Sequence, residues 1–150
     1  MTEFVEYRSE AEIEEVVRKF EACEYKPEEF VHARHLTVAA FYFLRLPGDG
    51  ARERMRAGLK RFIRHHGKNG YHETITEFWL GAVGREARDL GQAREGGLVE
   101  CVNRVVAELG NKELIYRFYS RERLGSAEAK AGWVEGDLDW RDAASLRVSR

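Results

Sequence analysis

Apolar residues recur along this chain at three- and four-residue intervals, the period of a helix with one buried face. Ile13, Val16, Val17 and Phe20 follow this spacing behind Ser9-Glu10-Ala11-Glu12, a capping box in which a serine hydroxyl and a glutamate three residues on serve orphan N–H groups. They predict a first helix over about 9–24. Pro27 followed by Glu28 and Glu29 suits a helix start, because proline is preset for the first turn and acids favour the positive dipole end. That second helix is expected to reach about Arg45 and to end at Leu46-Pro47-Gly48-Asp49-Gly50. From Leu36 to Leu44 it is apolar nearly all round, which predicts burial on several sides and a central place in the fold.

A third helix, about 51–66, carries Met55, Leu59, Phe62 and Ile63 on one side, with arginine and lysine over the rest. Gly67-Lys68-Asn69-Gly70 reads as a turn. The fourth helix, about 71–91, has Ile75, Trp79, Leu80 and Val83 on one face, and Gly81 and Gly84 where close packing is possible. After Gly96-Gly97, Leu98, Val102, Val105, Val106 and Leu109 mark a fifth helix ending at Gly110. Asn111 can cap a short sixth helix, and Ser126–Trp133 provides another turn or two. No strand pattern or repeat occurs. The expectation is an all-α, single-domain bundle of four to five helices over 1–133, with a short helical C-terminal appendage and a partly extended tail over 134–150.

Composition narrows the setting. A chain of 150 residues with 43% hydrophobic and 34% charged residues can bury a core and is not a disordered polyampholyte. Cys23 and Cys101 are far apart and lack C-x-x-C spacing, so buried thiols in a reducing compartment are expected. The acidic start is unlike a signal peptide, and the run Leu36–Leu44 is too short to span a bilayer. Together these features predict a cytoplasmic protein. The net charge of -1 argues against nucleic acid, but it conceals an acidic 1–30 and a basic 51–70. Such segments can steer one another, within one chain or in a homodimer.

Five histidines are present, and three of them suggest chemistry. His32 and His35, three apart, share a helix face. His72 sits with Glu73 in the first turn of the fourth helix. Short connections favour an up-down-up arrangement of helices two, three and four, which brings these residues to one bundle end. Helix N-termini favour neutral imidazole, the form that binds a metal. His32, His35, His72 and Glu73 are thus candidate ligands of a divalent ion, with Glu73 also a candidate general base. Nitrogen and oxygen donors suit Zn, Fe, Mn, Ni or Cu. Tyr42, Tyr71, Thr76 and Trp79 are candidate pocket residues for a small-molecule substrate. Each histidine also has a structural reading: a core imidazole bonded to a carbonyl, or, for His72, a helix cap. Glu29-x-x-His32 matches half of a di-iron pattern without a second half. No glycine-rich phosphate loop occurs, so neither nucleotide nor flavin is implied.

The stretches Phe30–Leu36, Gly70–Thr76 and Tyr119–Leu124 resemble an uncharacterised family of small bacterial helical proteins with H-x-x-H-L and G-Y-H-E-T-x-T motifs, over about 30–135. The resemblance implies no particular activity, but it implies that His32, His35, His72 and Glu73 belong to one signature. The leading expectation is a small metalloprotein, and a metalloenzyme if Glu73 acts as base. The alternative is a non-catalytic binding or scaffold protein that meets an anionic partner through the basic helix 51–66.

Overall fold

The computed structural model describes residues 6–93 and 97–138. Five longer helices form the bundle: α1 (Glu10–Glu21), α2 (His32–Arg45), α3 (Gly48–His65), α4 (Glu73–Ala93) and α5 (Leu98–Leu109). Two short ones follow, α6 (Arg121–Leu124) and α7 (Ala127–Ala131), and 3-10 turns cover Pro27–Glu29 and Lys112–Arg117. Among the described residues there is no strand, and the fold is all-α. Among them, too, no helix is long and apolar enough to cross a membrane.

α2 is the central helix, packed against α1, α3, α4 and α5. Its residues Leu36 to Ala40 are all buried, as the unbroken apolar run requires. The one polar side chain in that stretch, Thr37, donates to the Ala33 carbonyl at 2.8 Å and shares a hydrogen bond with the Tyr7 hydroxyl at 3.0 Å. Its burial therefore leaves no hydroxyl unsatisfied. The main core joins α1–α5 through Ile13, Phe20, Val38, Ala51, Val83, Val102 and Val105, each fully buried.

Several boundaries differ from expectation. α1 closes at Glu21, and Cys23 takes the left-handed conformation (φ 58°) after it. Pro27-Glu28-Glu29 makes a separate 3-10 turn, and α2 begins only at His32, with Val31 as its extended N-cap. Gly48-Asp49-Gly50 belongs to α3, which starts behind Pro47. Gly84 does allow close packing: a methyl there would lie 3.0 Å from the Phe43 ring, whereas the space beside Gly81 is open.

A second, smaller cluster of Ile115, Tyr119 and Leu124 seats the appendage against Ile75 and Phe78 of α4. Residues 134–138 are non-helical, and they are held by the fold. Tyr119 donates to the Val134 carbonyl at 2.5 Å, Leu138 N–H donates to the Phe118 carbonyl, and the Asp137 carboxylate accepts from the Ser120 hydroxyl and N–H. Thr74, fully buried, donates to the Gly132 carbonyl at 2.8 Å and accepts from Val134 N–H at 3.1 Å. The rest of the expected tail, 139–150, and Gly96 of the α4–α5 loop lie outside the described residues.

Candidate functional site

The starts of α2 and α4 and the end of α3 meet around a cavity of about 340 Å³. α2 presents His32, His35, Leu36 and Ala39, the i, i+3, i+4, i+7 stripe of one helix face. α3 presents Met55, Leu59, Phe62 and Ile63, and α4 presents Ile75, Thr76, Trp79 and Leu80. Phe30 and Tyr71, just ahead of α2 and α4, complete the aromatic wall. The up-down-up placement thus brings His32, His35 and His72 to one cavity, together with Tyr71, Thr76 and Trp79. Tyr42 stands elsewhere. It lines a groove between α1 and α2, beside Arg54 of α3, and donates to Glu21 at 2.5 Å.

The three imidazoles have different fates. His72 is the N-cap of α4: its Nδ1 accepts from Ile75 N–H at 3.1 Å, and its Nε2 donates to the Leu124 carbonyl at 2.7 Å. An N–H donor on one side and a carbonyl on the other require the tautomer protonated at Nε2. His32 donates through Nε2 to the Leu109 carbonyl at 3.0 Å and sets its ring edge against Trp79, with centroids 4.5 Å apart. Burial pushes it below the usual histidine range. The imidazole of His35 makes no hydrogen bond to a described residue and packs T-shaped with the Phe30 ring, centroids 4.1 Å apart. Half-buried at the cavity wall, it is pushed down to about 4 by desolvation, with a smaller contribution from His32.

Glu73 is drawn away from the histidines. Its carboxylate accepts from the Tyr71 hydroxyl at 2.6 Å and pairs with Arg56 at 3.4 Å. Burial, then the hydrogen bond to Glu73, pushes Tyr71 up to about 12. Arg56 also bonds Glu77 at 2.6 Å, and Arg52 reaches the same carboxylate at 3.0 Å. Among the described residues, no group of three or more His, Cys, Asp or Glu side chains is placed to hold a metal ion. His72 and Glu73, expected as ligands, are committed instead to capping and to an ion-pair network.

The basic helix is likewise partly committed. Arg54 pairs with Glu21 of α1 at 3.0 Å, so the acidic and basic segments do meet within one chain. Lys60 lies over the Tyr71 ring at 5.0 Å. The apolar stripe of α3 was legible as a packing face, but its role as a cavity wall was not, because only the spacing between helices leaves the space open. Comparison with family models, with curated proteins and with solved structures finds no match for this chain.

Proposed function

We propose that this protein binds a small organic molecule in the cavity between α2, α3 and α4. The observation that carries the reading is His35, a neutral imidazole with no hydrogen bond to the described residues, at the wall of a largely apolar space. Small-molecule sites occupy roughly 300–1,000 Å³ and combine apolar walls with a few polar groups that orient the ligand. The cavity here, about 340 Å³, falls at the small end of that range. Binding is favoured over catalysis because, among the described residues, no carboxylate stands on the cavity wall to work with the imidazole, and Glu73 is held by Tyr71 and Arg56. Binding without a resident metal is favoured because both nitrogens of His72 are already used.

A thermal-shift panel of one- and two-ring and short-chain organic compounds, neutral and charged, tests this. At least one compound should raise the melting temperature of the wild type in a concentration-dependent way. The same compound should have no effect on Leu59→Trp, which fills the cavity from α3. A panel in which no compound separates the two proteins sinks the reading. EDTA should leave the melting curve unmoved; a drop that Zn(II) restores would favour a histidine metal site.

A further inference from the structure

We infer that the ligand of this cavity is an uncharged, two-ring aromatic molecule with one hydrogen-bonding group, oriented by His35. The inference rests on the binding reading and adds the chemical class.

Charge is the first argument. Among the described residues, no Asp, Glu, Lys or Arg lines the cavity. The imidazoles on its wall are neutral: His72 by its tautomer, His32 and His35 by burial. Behind the wall, Glu73 and Glu77 are paired with Arg56, and Glu77 with Arg52 as well, while Lys60 is held over the Tyr71 ring. A carboxylate or ammonium in this space would give up hydration and find no counter-charge among the wall residues. The site therefore discriminates against ions of either sign.

Shape and size come next. Phe30, Phe62, Tyr71 and Trp79 stand on the wall, and Met55 adds a polarisable thioether. Aromatic rings and methionine sulfur favour a flat π-system by edge and face contact. A dry apolar cavity of about 150 Å³ accommodates benzene. The cavity here, about 340 Å³, has room for two fused rings and a substituent. The substituent meets His35, whose neutral ring offers one N–H donor and one acceptor nitrogen. Neither is hydrogen-bonded to a described residue, and the ring packs T-shaped with Phe30.

Three probes of matched shape decide the matter: 2-naphthol, 2-naphthoate and 2-naphthylmethylammonium. Met55 is one of only two methionines, so its methyl resonance reports directly from the wall. In titrations of the full chain at pH 7, 2-naphthol should shift that resonance saturably. The two ions should bind at least tenfold more weakly. His35→Phe should weaken 2-naphthol at least fivefold and leave naphthalene unchanged, and His35→Gln should recover part of the loss. Equal binding of either ion overturns the charge argument, and undiminished 2-naphthol binding to His35→Phe overturns the role of His35. The charge comparison uses the wild type alone, so it stands even if a variant fails to fold. If no probe moves Met55 while another compound of the thermal-shift panel protects the wild type, the aromatic class falls and the binding reading survives. If nothing binds in either experiment, both fall.

Discussion

The imidazole of His72 ties the first turn of α4 to the end of α6, donating to the Leu124 carbonyl at 2.7 Å while it caps Ile75 N–H. One ring thereby serves a helix N-terminus and the appendage together. Replacing it with alanine removes a cap and an interhelical hydrogen bond, about 2 kcal/mol in all. Asparagine can still cap but cannot reach Leu124, so His72→Asn should recover about half of the loss. Urea unfolding of the three proteins checks this, and an alanine variant as stable as the wild type would refute the bridging role.

His35 makes stability depend on pH. Its folded value of about 4 lies below the 6.5 of a free histidine, so the unfolded chain takes up a proton first. Its contribution is therefore complete above pH 6.5 and declines as pH falls toward 4. The decline should be on the order of 2 kcal/mol, because part of the ring still faces the cavity. His32 is lowered by the same cause and acts in the same direction. The stability of the wild type relative to His35→Phe should therefore fall toward acid within this window, with a residual slope in the variant. Parallel profiles would contradict the assignment.

Thr74 should matter more than its size suggests. Its hydroxyl both donates to Gly132 and accepts from Val134, with no exposure to solvent. Thr74→Val keeps the shape and loses both bonds, for about 2 kcal/mol, whereas Thr74→Ser should stay within about 1 kcal/mol. Amide exchange at Val134 should quicken in the valine variant and stay slow in the serine one.

Two glycines should respond in opposite directions to alanine. At Gly58 a methyl would come within 2.7 Å of the Phe20 ring, which is fully buried and stacked on Phe30 at 4.6 Å. Overpacking of about 1–3 kcal/mol should outweigh the helix gain of about 1 kcal/mol. At Gly81 nothing lies within 4 Å, so Gly81→Ala should stabilise by up to about 1 kcal/mol. Calorimetric melting temperatures should fall for the first and rise for the second.

The helices and the meeting of His32, His35 and His72 could be read in advance, because periodicity and short connections are local properties. Element ends were harder to read. Nothing marks the end of α1, since a cysteine takes the left-handed position that glycine usually holds. Pro27 starts a 3-10 turn rather than α2, although both begin alike in sequence. Tyr42, seven residues after His35, lies on nearly the same side of α2 but two turns, about 10 Å, further along, where it finds Glu21 of α1.

Sequence alone determined that the chain is helical, that α2 is central, and that three histidines gather at one end of the bundle. Tertiary structure decided what those histidines do. The carbonyl that takes His32 is 77 residues away, and the one that takes His72 is 52 away. A buried imidazole accepts whichever partner packing brings within about 3 Å, and spacing along the chain does not encode that partner. The same packing held Glu73 with Arg56 and left His35 facing a cavity, because side-chain volumes on three helices, not the pattern on any one, determine where space remains.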